Sequence, residues 1–299
     1  MKITFVPSKS GTRSTNGNRA YNFINALIVF PNCKINIGLN IAGKRTDGYH
    51  NLETIFYPLP LYDVLEVIQH TNTGQPCEIF LSGIKIEAKP EDNLCVKAYH
   101  LLKDDYPQLQ PVKIYLHKTI PAGAGLGGGS ADGAFMLGLL NDKFQLHLSQ
   151  EKLLSYALEL GSDCPFFIIN KPCFALQRGE VFEPITLSLS GYKIIIVNPG
   201  IHINTGWAFS HVSYSTNNLK KSITAPVEEW RELITNNFEK PVFKKFPEIA
   251  AIKDQLYASG ALYASMTGTG STVYGIFAGH TAIEEESFSS YSFVKQFEL

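Results

Sequence analysis

The residues whose types and spacing could carry chemistry concentrate in one stretch, Pro121–Ala134, which reads Pro-Ala-Gly-Ala-Gly-Leu-Gly-Gly-Gly-Ser-Ala-Asp-Gly-Ala. Six glycines fall between positions 123 and 133. At that density the backbone takes positive φ easily and brings its N–H groups against a ligand with no Cβ in the way. A helix that starts at the end of such a loop adds free N–H groups and the positive end of its dipole. The combination suits a polyphosphate, and the Ser130 hydroxyl could reach a phosphate oxygen or its metal. A flexible linker would lack flanking elements. Here an apolar strand-like run, Val112–Leu116, stands just before, and a helix-like run, Ala134–Leu140, just after.

Two common nucleotide templates do not fit. Gly123-Ala-Gly125-Leu-Gly-Gly128 satisfies the dinucleotide pattern G-x-G-x-x-G, but that fold asks for an acidic residue about twenty positions on to hold a ribose. Leu146–Leu148 stand there, with Asp142 too early and Glu151 inside the next expected helix. A Walker loop ends in Gly-Lys-Ser/Thr, and no lysine follows these glycines before Lys143.

The elements that must position this loop can be read from periodicity. Leu27–Phe30 and Lys34–Ile41 predict two strand pieces separated by Pro31-Asn32. The second alternates Ile35, Ile37, Leu39 and Ile41 against Lys34, Asn36, Gly38 and Asn40. Gly43–His50 reads as a polar loop, followed by strand-like runs at Leu52–Leu61, Asp63–Ile68 and Glu78–Leu81. Glu91–Lys103 reads as a helix with acidic residues in its first turn, and a further helix is expected near Ser130–Leu140. Ser149 is a plausible N-cap for a helix over Ser149–Leu160, with Gly161 just past its end. Gly161–Pro165 is a loop, because proline disfavours helix in the residue before it; short strands are expected at Phe166–Ile169 and Cys173–Leu176.

From Ile194 onward the pattern is strand, helices, two strands, helix and strand, an α+β layer with helices on one face. Its helices are expected near Thr205–Ser213, Pro226–Thr235 and Pro247–Ser259, and its tight loop at Thr267–Ser271 sits between strands ending at Ser265 and starting at Thr272. The last strand lies near Phe293–Phe297. Residues 1–26, polar between Ser8 and Asn22, read as a disordered extension. Two domains are expected over the rest, residues 27–185 and 186–299.

The chain has 299 residues, comfortable for two domains, with 44% hydrophobic and 12% aromatic content typical of a soluble globular protein. Lys+Arg of 26 against Asp+Glu of 27 gives no charge excess for nucleic acid or an anionic membrane. A bound phosphate must therefore be held by local geometry. The five cysteines form no C-x-x-C pair and their odd number is a poor disulfide framework, which suits reduced thiols in the cytoplasm. No apolar run approaches the roughly 20 residues of a membrane span.

Four separated segments together resemble the GHMP kinase superfamily: Pro31-Asn-Cys-Lys34-Ile-Asn36-Ile-Gly38, Arg45-Thr-Asp47-Gly48-Tyr49-His50, Pro121–Ala134 and Ser265-Met-Thr267-Gly-Thr-Gly270. The likeness runs from about Leu27 to the C-terminus. It implies an α+β protein of two domains, the first like ribosomal protein S5 domain 2 and the second ferredoxin-like, with nucleotide and substrate between them. Asp47-Gly-Tyr-His50 and Gly161-Ser-Asp163-Cys-Pro165 are similar to the members that use ATP to phosphorylate the 2-hydroxyl of the methylerythritol part of a CDP-linked substrate. Another small-molecule kinase of the superfamily, or a non-catalytic relative, is the competing expectation. The Asp47–His50 segment argues against the first, and retention of Lys34 and Asp163 against the second.

The resemblance implies a role for each matching residue. Asp163 would accept the proton of the substrate hydroxyl, and Lys34 would steady the transferring phosphoryl group. Read alone, Asp163 is equally a turn or cap residue, and Lys34 a solvated lysine on the polar side of a strand. The family places Gly123, Ala124, Gly125, Leu126, Gly127, Gly128, Gly129 and Ser130, entered through Pro121 and Ala122, on the ATP phosphates, and Asn93 and Lys118 near the adenosine. His50 would hydrogen-bond the cytosine, Tyr49 would cover its face, and Phe209, on the helix that starts at Thr205, would stack from the other domain. Asn36 would contact the methylerythritol end, and Thr267, Gly268, Thr269, Gly270 and Ser271 would brace the glycine loop and face the substrate phosphate. Mg²⁺ would bridge phosphates, with Ser130 the protein ligand to be considered. Small molecules are the expected partners, and a monomer or weak homodimer the expected state. Two positions depart from the pattern: Cys33 stands where alanine is common, and Ala124 where a glycine is common.

Overall fold

The computed structural model describes residues 27–70, 74–86, 89–214 and 217–299. The extension expected over residues 1–26 lies outside them. The first half of the chain supplies β1 (Leu27–Val29), β2 (Asn32–Lys44), β3 (His50–Tyr62), β4 (Val64–Gln69), β5 (Cys77–Gly83), α1 (Leu94–Asp105), β6 (Val112–Lys118), α2 (Gly128–Lys143), α3 (Gln150–Leu160), α4 (Cys164–Ile169), β7 (Cys173–Gln177) and β8 (Val181–Pro184). The remainder supplies β9 (Tyr192–Asn198), α5 (Thr205–His211), α6 (Leu219–Ser222), α7 (Trp230–Leu233), α8 (Glu239–Lys245), α9 (Pro247–Ala258), β10 (Tyr263–Met266), β11 (Val273–Ala278) and β12 (Phe293–Glu298).

Three four-stranded sheets result. The first has the order β1-β4-β6-β5, antiparallel except for the parallel pair β5 and β6. Along β6 the side chains alternate: Val112, Ile114 and Leu116 are buried, whereas Tyr115 and His117 are exposed, as the two-residue repeat of a strand requires. The inward face packs on α1 and α2 through Tyr99, Leu102, Met136, Leu137 and Leu140. The second sheet, β2-β3-β7-β8, is antiparallel throughout. The third, β12-β9-β11-β10, is also antiparallel throughout. Because β9 and β10 flank β11 and are joined through helices, this is the ferredoxin-like split βαβ arrangement.

The strand β2 differs from its expected pattern in a way that matters for function. Every residue from Asn32 to Ile41 is buried, the polar ones included. Ile35 and Ile37 pack into an apolar core with Ile194, Ile196, Tyr263 and Tyr274, while the polar side is covered by the glycine loop and the Thr267 loop. A strand covered on both faces loses the solvent side that alternation alone assigns to it.

Other boundaries shift for local reasons. Phe166–Ile169 belongs to the helix α4 and not to a strand: Pro165 lies within its first turn, where a missing N–H costs nothing. A short apolar run of this kind cannot be assigned by periodicity. Asn93 caps α1, its side chain accepting from the Cys95 N–H at 2.9 Å, so the acidic Pro90–Asp92 turn stands outside the α-helix. The helix expected over Pro226–Thr235 is a 3₁₀ turn, Val227–Glu229, followed by the single turn α7. The elements β8, α6 and α8 have no counterpart among the sequence expectations. Ser149 does cap α3, accepting from the Lys152 N–H at 3.2 Å.

Candidate active site

The glycine loop runs from the end of β6 to the N-terminus of α2 and lies against β2, whose Lys34 N–H donates to the Leu126 carbonyl at 2.9 Å. Gly123, Gly125 and Gly127 take φ of 65°, 78° and 72°. The residues between them, Ala124 and Leu126, are buried at 4% and 0% exposure. The loop thus turns its side chains into the protein and leaves backbone toward the cavity. Ala124 avoids positive φ, which resolves how alanine is accommodated there. Gly125 admits no side chain: a Cβ would stand 2.2 Å from the Thr267 carbonyl oxygen. Gly128, Gly129 and Ser130 form the first turn of α2, whose free N–H groups face the same space.

Beneath the loop sits Lys34, only 3% exposed. Its Nζ donates to Asn36 Oδ1 at 2.6 Å and to the Gly125 carbonyl at 3.1 Å, and lies 3.5 Å from Asp163 Oδ2. The Phe56 ring, itself on the cavity wall, lies 5.1 Å from Nζ. Asp163 precedes α4 without making a capping hydrogen bond, and its side chain keeps 38% exposure. An anchored, desolvated ammonium beside a half-open carboxylate is a pair whose charged atoms need little rearrangement when negative charge arrives.

Asn36 is fixed from several directions: its Nδ2 donates to Thr54 Oγ1 at 2.9 Å, its N–H donates to Thr267 Oγ1 at 3.0 Å, and its carbonyl accepts from the Tyr274 hydroxyl at 2.9 Å. Thr267 Oγ1 in turn donates to the Gly125 carbonyl at 3.0 Å, tying the two loops together.

At the other end of the cavity His50 and Phe209 stack with ring centroids 4.9 Å apart and planes 22° from parallel, and Tyr214 tilts against His50 at 6.0 Å. Burial, with help from Lys44, lowers the His50 pKa below its ordinary value, so the imidazole is neutral near pH 7. Tyr49 is half exposed, with the Arg178 guanidinium 3.8 Å from its ring centroid. The cavity between these ends encloses about 1080 Å³. That is at the upper limit for a single small ligand and suits two.

The GHMP kinases N terminal domain family matches residues 93–171, and the GHMP kinases C terminal family matches residues 220–287. A curated relative from Bacteroides fragilis, 4-diphosphocytidyl-2-C-methyl-D-erythritol kinase, is 52% identical over 91% of this chain and 100% of its own length. The chain belongs to the 4-diphosphocytidyl-2-C-methyl-D-erythritol kinase family. A crystal structure of 4-(cytidine 5'-diphospho)-2C-methyl-D-erythritol kinase superposes with a TM-score of 0.75 at 27% identity, covering 90% of this chain and 98% of that one. Methanococcus jannaschii mevalonate kinase, at TM-score 0.66 and 16% identity over 91% of this chain and 97% of its own, shares the fold.

For a 4-diphosphocytidyl-2-C-methyl-D-erythritol kinase family member, the expected site residues divide into those on the cavity wall and those set behind it. Lys34, Asn36, Tyr49, His50, Gly123, Ala124, Gly125, Gly127, Gly128, Gly129, Ser130, Asp163, Thr205, Phe209, Gly268 and Thr269 line the cavity. Pro121, Ala122, Leu126, Thr267, Gly270 and Ser271 are off the wall: Leu126, Thr267 and Ser271 are buried behind it, whereas Ala122 is exposed. Ser271 Oγ donates to the Ile201 carbonyl at 2.6 Å and accepts from Asn198 Nδ2 at 3.2 Å, a bracing arrangement. Asn93 is engaged in capping α1.

Lys118 is also turned inward. Its Nζ bonds Asp63 and, at 2.6 Å, Asp132 Oδ2, and it is 2% exposed. Asp63 Oδ1 further accepts from the backbone of Thr119 at 2.6 Å and Ile120 at 3.0 Å. Burial, and the Asp63 carboxylate acting against the pull of Lys118, push the Asp132 pKa up to about 7. This buried cluster joins the β3–β4 turn, the end of β6 and the first turns of α2, holding the helix start from behind. Asp132 and the cavity residues Arg178, Ser162 and Tyr214 escaped the sequence reading. Asp132 and Ser162 had a visible signal, lying inside the glycine motif and the Gly161–Pro165 segment, whereas Arg178 and Tyr214 follow ordinary loop chemistry. Four of the cysteines, Cys33, Cys77, Cys164 and Cys173, have thiols pushed up to about 12, chiefly by burial, which leaves them unreactive.

Proposed function

We propose that the chain transfers the γ-phosphoryl group of ATP to the 2-hydroxyl of 4-diphosphocytidyl-2-C-methyl-D-erythritol. The observation that carries this reading is the approach of Lys34 Nζ to Asp163 Oδ2, 3.5 Å, on the cavity wall directly beneath the glycine loop and the start of α2. Residues so far apart in sequence converge where a terminal phosphate and an acceptor alcohol would meet. The loop and the α2 N-terminus hold the polyphosphate through backbone N–H groups. The alcohol oxygen forms its bond to phosphorus as the bridging oxygen of ADP departs, and the hydroxyl proton passes to Asp163. A carboxylate is a weak base for an alcohol, so this proton leaves late, with Lys34 balancing the charge that builds on the phosphoryl oxygens. Tyr49, His50 and Phe209 hold the cytosine, and Asn36 orients the methylerythritol end.

Among the described residues no three His, Cys, Asp or Glu side chains converge as a metal site, and Asp132 is engaged by Lys118. That fits Mg²⁺, which takes few carboxylates and keeps substrate oxygens and water. Ser130 is the hydroxyl that would hold it, and the ion, when bound, neutralises phosphate charge. Among the described residues no helix is long and apolar enough to cross a membrane, and the five free cysteines support a cytoplasmic setting. The partners are small molecules, and the working state is a monomer or weak homodimer.

The test is a coupled ADP-release assay with the CDP-linked methylerythritol alongside mevalonate, homoserine and galactose. Turnover confined to the cytidylyl substrate is expected. Comparable kcat/KM with one of the other alcohols would overturn the assignment.

A further inference from the structure

If this reading holds, a diphosphate must lie between the base-binding end of the cavity and the Lys34–Asp163 pair, and its charge must be met by protein. Three cationic side chains among the described residues line the cavity: Lys34, Lys44 and Arg178. Lys34 is committed to Asn36, the Gly125 carbonyl and Asp163. Lys44 stands at the exposed end of β2, opposite His50 in the strand ladder and so beyond the nucleobase.

Arg178 spans the gap. It sits in the turn between β7 and β8, flanked by Gln177 and Gly179 at φ of 61° and 103°. Its backbone N–H is held by Glu180 Oε2 at 2.7 Å. Its guanidinium covers the Tyr49 ring at 3.8 Å, and its Nη2 donates to Ser162 Oγ at 3.3 Å, the side chain next to Asp163. One planar group therefore touches both the residue expected on the base and the neighbour of the residue expected at the alcohol. Its Nε is shielded from solvent and bonded to no acceptor among the described residues. Asp47, the carboxylate whose charge is felt across this corner, is already held by Arg45 at 3.0 Å. A guanidinium fork with an unused donor and, among the described residues, no carboxylate paired with it matches the oxygens of a phosphate.

We propose that Arg178 is a specificity-determining residue that binds the diphosphate of the nucleoside-diphosphate-linked substrate, sliding along the Tyr49 ring as the base enters. This rests on the function proposed above, but its test does not require turnover. Cytidine and CDP are titrated calorimetrically into the full chain with the ATP end occupied by a non-hydrolysable ATP analogue. The wild-type chain binds CDP about 30-fold more tightly than cytidine, the scale of charge-assisted hydrogen bonding. Arg178→Gln, which keeps the stack and loses the charge, and Arg178→Ala reduce that preference to about 3-fold or less, leave cytidine binding nearly unchanged, and raise KM for the cytidylyl substrate but not for ATP. Arg178→Lys restores part of the preference.

A wild-type CDP preference retained in Arg178→Gln overturns the proposal. So does an equal loss for cytidine and CDP, which would make Arg178 a prop for Tyr49, or a preference abolished by Lys44→Ala instead. If the chain binds CDP in this Arg178-dependent way yet phosphorylates none of the CDP-linked alcohol, the proposed reaction fails and the diphosphate site stands.

Discussion

A methyl group placed on Gly129 would meet no protein atom within 4 Å. Gly129 is the second residue of α2, so alanine there is helical and unstrained, and it lowers the entropy lost on folding by about 0.5–1 kcal/mol. On structural grounds alone Gly129→Ala is therefore neutral or slightly stabilising, raising Tm by up to about 2–4 °C for a protein of this size. The same methyl, however, projects into the cavity at the turn whose N–H groups must approach phosphate oxygens to about 2.9 Å. Weakening one such charge-assisted bond costs about 1.5–3 kcal/mol, or about 10–100-fold in the KM for ATP. Gly138, nine residues further along the same helix and equally open, supplies the comparison: Gly138→Ala raises stability by a similar amount and leaves the kinetics alone. The measurements are thermal unfolding and ATP saturation curves for both variants. A Gly129→Ala enzyme that is more stable and keeps its ATP KM would show that α2 does not begin at the phosphate.

Lys34→Ala and Asp163→Asn should each lower turnover by about 100-fold or more, with CD spectra unchanged for Asp163→Asn; a purified, folded variant with near-normal kcat removes that residue from the mechanism. Gly125→Ala should do the opposite of Gly129→Ala, because its φ of 78° costs alanine about 1–2 kcal/mol and its Cβ would stand 2.2 Å from the Thr267 carbonyl. A drop in Tm of about 5 °C or more is expected, and an unchanged Tm would mean that the two loops do not meet as described. Asp132 carries a pH dependence: its native pKa of about 7 exceeds the ordinary 3.8, so between those values the folded chain holds a proton that the unfolded chain has released. Stability therefore falls as pH rises from about 4 to 7, and Asp132→Asn should flatten that slope in urea unfolding at pH 5 and 7.5. An identical slope in the variant would assign the titration elsewhere.

Much of the fold was legible because its elements obey short-range rules. The Ser149 cap, the Gly161 stop and the β9, β10, β11 and β12 runs fall within a few residues of their expected places. What failed was decided by neighbours distant in sequence. The run Phe166–Ile169 is apolar with no resolved period, and only its packing among α2, α3 and the Phe56 ring makes it a helix. The polar side of β2 would face water if that sheet were bare. Once the Thr267 loop and the glycine loop cover it, Lys34 and Asn36 become buried donors whose bonds reach across the molecule. Arg178 had no signal at all, since Gln-Arg-Gly-Glu reads as an ordinary turn.

The glycine loop shows why a motif can be found without its meaning being complete. Glycine density points to a ligand, yet the glycines are required for different reasons. Gly129 faces open space, so its missing side chain serves whatever binds there. Gly128 faces Ile120 and the Lys118 ammonium, where a Cβ would stand 2.8 Å and 3.4 Å away, and Gly133 faces Leu94 at 2.8 Å. Those two let α2 settle against the protein. The helix start must be held rigidly if its N–H groups are to meet a phosphate without reorganising, and the buried Lys118–Asp63–Asp132 cluster, set off the cavity wall, does this from behind. A buried ion cluster is a poor source of net stability, so its place immediately under the phosphate-facing turn is better explained by positioning: it fixes the register of α2 against β6, and with it the distance from Gly128 to Lys34.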